Sequence, residues 1–336
     1  MRLFKSPRII QTPAPLVNGE NKEYNTHIKM KTAKNNIKFD IIVSRWANFY
    51  FFIQNLSEWN NRNRKDYNTL WQAELDPFSE REKNALKAFK KVRLRYKSNR
   101  GEFERAFFTS KEPLKQLQLT LPTDEFIVIK KVFALFKKKF DILYKKDFPL
   151  LKKWQEILYR KINKKSLIKS IISPIEILYN ATAPKKTVDI YLLLSAPNHT
   201  GGGANVNDQS ASIEISRYPT QGINHVLGII WHEVIHLCFE KQYFVPLLVE
   251  YFGRASKSIG LISEIAASSL LPNGILGQSI LYSLPPKFLN IRIPTKFNKK
   301  LMNIMGGYMK SKKPLDKKYI QNIWTIAKVL QNNWQK

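Results

Sequence analysis

One cysteine, Cys238, stands in 336 residues. A disulfide framework, a thiolate zinc finger and an iron–sulfur cluster each need several thiolates, so all three are excluded. A reducing compartment suits such a chain, and the cytoplasm is expected. Long apolar runs are missing as well. The best, Ile41 to Ile53, is broken by Ser44, Arg45 and Asn48, well short of the roughly 18–20 residues a bilayer span requires. The opening residues, Met1-Arg-Leu-Phe-Lys-Ser-Pro7, hold no apolar core of a secretory signal, so none is expected. The Asn-x-Ser/Thr sites at Asn55, Asn180 and Asn198 then carry no glycan. Neither a phosphate-binding glycine pattern nor a G-x-S-x-G elbow occurs, so a nucleotide loop and a serine hydrolase have no support.

Acidic residues are scarce: 26 Asp and Glu face 56 Lys and Arg, a formal charge of +30. The excess is uneven. Residues 1–182 carry 38 basic against 18 acidic groups, residues 291–336 carry 11 against 1, and residues 183–290 balance at 7 against 7. A neutral segment between cationic ones points to a buried or cleft-forming part with its own chemistry. Hydrophobic residues at 43% and aromatics at 12% are enough for a packed core.

Residues 1–38, with Pro7, Pro13, Pro15 and Gly19, lack any period and read as a basic, weakly ordered arm. Phe39 to Trp59 reads as a buried helix. Glu80 to Lys97 places Leu86, Phe89, Val92 and Tyr96 on one face of another. Thr123 opens a helix through Lys146, and helical segments continue to about Tyr179 with breaks expected at Phe148-Pro149 and at Pro174. Two strands follow, Thr187 to Ser195 and the alternating Ser210 to Ser216, separated by a loop containing Gly201-Gly202-Gly203. Thr220 to Glu240 is a helix apolar almost all round and therefore a core element. Helices are expected at Ser258 to Leu270 and Lys317 to Trp334. The fold class is α+β, mostly helical: a helical region 39–146, then a domain 147–336 whose chemical core is 185–285.

The core helix contains Trp231-His232-Glu233-Val234-Ile235-His236, an H-E-x-x-H motif. His232 and His236 lie four apart, so both imidazoles leave one helix face, as two nitrogen ligands of one zinc require. Glu233 sits one step round, in reach of a metal-bound water, the general-base position. With 5 His in the chain, a shuffled sequence would contain the motif roughly 0.004 times. Two imidazoles and a carboxylate in such an apolar helix would also be costly unless something polar met them.

A catalytic zinc wants a third protein ligand and an open position. The metzincin continuation is absent, since Phe239 and Gln242 stand where its Gly and third His would be. Glu264, on the next strong helix among small residues, is the candidate; Glu240, Glu250 and Asp208 are rivals, with Glu240 expected near solvent at the helix end. On these motifs, residues 185–285 resemble the gluzincin branch of the zincin metallopeptidases, whose third ligand is a Glu on a helix downstream of H-E-x-x-H. The resemblance implies a zincin-like fold, one catalytic Zn2+ held by His232, His236 and Glu264, and Glu233 as base and proton shuttle for hydrolysis of a peptide or protein substrate. One departure stands out. Many gluzincins carry an acidic residue one turn after the ligand Glu, orienting a zinc-bound His, and that position is Ser268 here.

Zincins also hold substrate as an added strand at a sheet edge, a role Ser210 to Ser216 could fill. Gly201 to Gly203 reads as a flexible loop or cleft rim, His225 as a core or cleft histidine, Cys238 as packing, and Tyr282 or Tyr308 as an oxyanion donor. A different reading rests on the charge alone: a non-enzymatic nucleic-acid or polyanion binder, with basic helices interleaved with aromatics as in Phe89 to Tyr96.

Overall fold

Strand β1 (Lys38–Ile42) comes first, not a helix. Lys38-Phe-Asp-Ile-Ile42 alternates exposed and buried, and Phe39 and Ile41 point into the core. The helix begins only at α1 (Arg45–Ser57), where the Ser44 hydroxyl accepts from the Ala47 N–H. The computed structural model describes residues 37–59, 65–96, 100–195, 201–205, 210–216, 222–254, 256–282 and 295–334. The basic arm, the start of the helix expected at Thr220, and Asp208 lie outside them.

Helices α2 (Lys65–Ala73), α3 (Glu80–Arg95) and α4 (Arg100–Thr109) pack on α1, and α5 (Pro113–Thr120) packs on α4 and leads to the 40-residue α6 (Thr123–Ile162). Ser79 and Glu82 close a reciprocal capping box at the start of α3. The expected break at Phe148-Pro149 does not occur. Proline removes one N–H from the ladder, but the apolar row Phe140, Leu143, Leu151, Trp154 and Leu158 is buried on both sides of it, so packing carries α6 through. Pro174 likewise lies inside α7 (Lys165–Leu178), and the real interruption is at Asn163-Lys164.

The sheet has four strands in the order β1-β2-β4-β3, with β2 (Thr187–Ser195), β3 (Gly202–Asn205) and β4 (Ser210–Ser216). β1, β2 and β4 run parallel; β3 is antiparallel to β4, with Gly203 opposite Ser212. Two expectations change here. Ser210–Ser216 is an interior strand rather than an edge, and the triple glycine leads into the edge strand β3 rather than forming a loop. The opposite edge is covered: the Asn163 side chain bonds the Phe39 N–H and carbonyl at 3.1 and 3.0 Å, and Gln155 donates to the Ile41 carbonyl.

Helix α8 (Ile223–Cys238) packs on β3 and β4 and buries Trp231 edge-on against Phe39, ring centroids 5.0 Å apart. A 3-10 turn (Glu240–Gln242), α9 (Phe244–Phe252), α10 (Ser258–Leu270), α11 (Ile275–Ile280), α12 (Thr295–Ser311) and α13 (Lys317–Trp334) complete the architecture, which is mostly helical with a small mixed sheet. Ser258–Ile280 is apolar and long enough to cross a membrane by composition, but it is 72% buried inside the protein and behaves as core.

Candidate metal centre

Because α8 is apolar on nearly every side, it is sandwiched between the sheet and α10, and its polar residues have to find partners inside. His232 Nδ1 donates to the Leu271 carbonyl at 3.0 Å, and His236 Nδ1 donates to Glu240 Oε2 at 2.8 Å. Both partners only accept, so Nδ1 carries a proton in each imidazole and Nε2 is the atom left to face a metal. The two Nε2 atoms are 3.1 Å apart. Glu264, from α10, brings Oε1 to 3.2 Å of His232 Nε2 and Oε2 to 3.4 Å of His236 Nε2.

Three donors of zinc-binding type thus converge, all within 4.8 Å of one another, and the group His232, His236, Glu264 could hold a metal ion. The spacing is informative. Zn–N and Zn–O bonds of about 2.0–2.2 Å at a tetrahedral angle put neighbouring ligand atoms about 3.4 Å apart; here the two Nε2 atoms are 3.1 Å apart, and each has a different oxygen of the Glu264 carboxylate at 3.2 or 3.4 Å. The His232 side chain is 2% exposed, His236 17% and Glu264 31%.

Burial works against charge on both imidazoles, but Glu264 beside His232 and Glu240 beside His236 outweigh it, so both are held above the usual histidine range, His236 well above. Against the push of burial, the same imidazoles hold Glu264 well below the carboxylate range. Glu233 is different. Burial pushes its carboxyl up against the pull of His232 and His236, as suits a base that must gain and release a proton.

Glycines make the close approaches possible. A Cβ on Gly202 would lie 2.7 Å from Glu233 Oε1 and from Ile229 Cγ2, so the Glu233 carboxylate rests directly against the β3 backbone. A Cβ on Gly228 would lie 2.7 Å from Pro272 Cβ and 2.8 Å from its Cα. That contact lets the Leu271-Pro272 segment come near enough for the Leu271 carbonyl to reach His232.

No protein-family model matches the chain, and no curated protein or solved structure is similar to it. The site therefore has to be understood from its own geometry.

Glu240 corrects the sequence-based expectation. It is 4% exposed rather than in solvent, its Oε2 is shared by His236 Nδ1–H and the Ser263 hydroxyl, and it stands outside the His232, His236, Glu264 group. It supplies the orienting carboxylate that the Ser at position 268 cannot; the Ser268 hydroxyl instead lies 3.4 Å from Glu264 Oε1. The signal was available as the i,i+4 pair His236/Glu240. Glu250 pairs with Lys317 at the surface. His225 bonds Asn273 at 3.2 Å, and Cys238 is buried. Neither tyrosine suits an oxyanion donor: Tyr282 is 84% exposed, and the Tyr308 hydroxyl is committed to Asp316.

Proposed function

We propose that the chain is a zinc-dependent metallopeptidase, with His232, His236 and Glu264 as zinc ligands and Glu233 as general base. The observation that carries the reading is the convergence of His232 Nε2, His236 Nε2 and the Glu264 carboxylate within 4.8 Å of one another, beside a buried carboxylate that is not one of them. Bound zinc would supply Lewis acidity, lowering the pKa of a coordinated water to about 7 and polarising a carbonyl. Glu233 would take up the proton released by the attacking water and return it to the leaving amine, so a single carboxylate would serve as base and then acid. Glu240 and the Leu271 carbonyl hold the two imidazoles in the ligating tautomer. β1 is sealed by Asn163 and Gln155, so β3, which lies against Glu233, is the edge assigned to an extended substrate.

The test is zinc content per chain, purified without affinity metal, for the wild type, His236→Ala and Glu264→Ala, followed by peptide hydrolysis with Glu233→Gln. About one zinc per wild-type chain, lost in both ligand variants, is expected. Glu233→Gln should keep its zinc while its rate falls about 10²–10⁴-fold. A wild type that takes up no zinc on reconstitution, or a Glu233→Gln variant as fast as wild type, overturns the proposal.

A further inference from the structure

Helix α6 buries Ile129, Val132, Phe133, Phe136, Phe140, Leu143, Leu151, Trp154 and Leu158 on its inner side, which accounts for its place in the fold. Its outer side is not simply polar. Steps of three or four residues lead along one line through Ile127, Lys131, Ala134, Lys138, Ile142, Lys145, Phe148, Lys152, Glu156 and Tyr159, all exposed. Ile127 is 58% exposed, Ile142 51%, Phe148 39% and Tyr159 51%. The lysines on this line recur every seven residues, about 10.5 Å apart, and the line runs about 48 Å. Lys130, Lys137 and Lys153 flank it, and all three are exposed. Asp141, beside it, is already neutralised by Arg45 and Lys137. At mid-helix, Ala134, Lys137, Lys138, Asp141, Ile142 and Lys145 line a shallow groove of about 460 Å³.

We propose that this face of α6 docks on the surface of an anionic lipid bilayer, with the lysines at the headgroup phosphates and Ile127, Ile142, Phe148 and Tyr159 entering the boundary with the acyl chains. The inference is independent of the metal centre. Charge complementarity selects an anionic partner, and the apolar residues select lipid over nucleic acid. Ile127 and Ile142 offer no ring on which a base can stack, and only Phe148 and Tyr159, eleven residues apart near one end of the line, do, whereas a helix with interleaved lysine and bulky apolar side chains can lie in the headgroup plane while the lysine stems reach to phosphate. Three lysines meet at the groove, a geometry suited to a phosphate-bearing headgroup.

Full-length protein is sedimented with vesicles of phosphatidylcholine alone and with about 30 mol% phosphatidylserine, at about 50 mM and about 500 mM salt. Binding to the anionic vesicles at low salt, and none to the neutral ones, is expected. Each lysine near such a surface strengthens binding about fivefold, so the variant carrying Lys131→Glu, Lys138→Glu, Lys145→Glu and Lys152→Glu should bind at least a hundredfold more weakly. Ile142→Ser with Phe148→Ser should bind about tenfold more weakly with its charge intact. Far-UV dichroism and thermal unfolding confirm that the variants, altered only at exposed positions, are folded. Equal binding to both vesicle types, no binding to either, or undiminished binding by the lysine variant overturns the proposal. So does an apolar variant that binds as wild type, or a single-stranded RNA that binds through these lysines while vesicles do not.

Discussion

Glu240→Gln isolates the carboxylate that orients a ligand without touching the ligand set. Wild-type Glu240 accepts from His236 Nδ1 at 2.8 Å and is 4% exposed, so its charge is barely screened. Outer partners of metal-bound histidines are worth about 10–100-fold in metal affinity, or about 1.4–2.8 kcal/mol. Glutamine keeps an acceptor oxygen at the same reach and loses only the charge, so its effect belongs at the lower end, roughly tenfold; Glu240→Ala, which removes the acceptor and opens a cavity, belongs at the upper end. The loss also depends on pH. The Glu240 charge raises the His236 imidazole well above its ordinary value, and a metal that binds Nε2 must displace the second proton, the one on Nε2. Removing the charge lowers the His236 pKa, so at acidic pH the variant has less proton competition to overcome. The affinity deficit of Glu240→Gln should therefore be small near pH 6 and grow toward pH 8. Zinc competition against a chromophoric chelator at both pH values reads this directly. Wild-type affinity in both variants at about pH 8, or a deficit that shrinks as pH rises, would refute the reasoning.

Gly202→Ala drives a methyl to 2.7 Å of Glu233 Oε1 and Ile229 Cγ2; overpacking of this kind costs about 1–3 kcal/mol in urea unfolding, and peptide hydrolysis should fall while zinc stoichiometry stays at the wild-type value. Arg93 has a fully buried side chain and bonds Glu104 at 2.8 Å and Tyr50 at 2.9 Å, so Arg93→Met leaves a buried carboxylate without its guanidinium and should cost about 3–5 kcal/mol; a loss under about 1 kcal/mol would contradict it. Burial pushes the Glu82 carboxyl up, but Lys139 and the Ser79 cap outweigh it and hold it below the usual range. A lowered folded-state pKa gives stability that is present above the unfolded value of about 4.3 and is lost as pH falls through the folded value. The stability gap between wild type and Glu82→Gln should thus be full near pH 6 and close toward pH 3; a gap independent of pH would count against it.

The two histidines of the cluster were legible because their geometry is local. An i,i+4 pair needs only a helix, and an all-apolar helix can only be a core helix. Glu264 was found by the small residues around it, which let α10 approach α8. What escaped was set by partners distant in sequence. β1 was absorbed into a helix because its five residues adjoin the apolar run of α1, where periodicity cannot separate strand from helix. β3 has a Gly-Gly-Ala-Asn sequence with no side-chain pattern to mark it, and pairing with β4 alone makes it a strand. Glu240 looked solvated from its place at a helix end, and its burial depends on Ser263, 23 residues on.

The length of α6 has a consequence for how the molecule comes apart. It touches α1, α3 and α5 on the N-terminal side and β1, β2 and α8 on the other, and Asn35–Lys336 forms one compact unit around it. Helical bundle and metal centre therefore unfold together. A fragment beginning near residue 147 would lack β1 and the first half of α6, leaving the edge of β2 bare to pair with another chain. Damage far from the metal, at Arg93 for example, would then surface as fewer competent sites rather than slower ones.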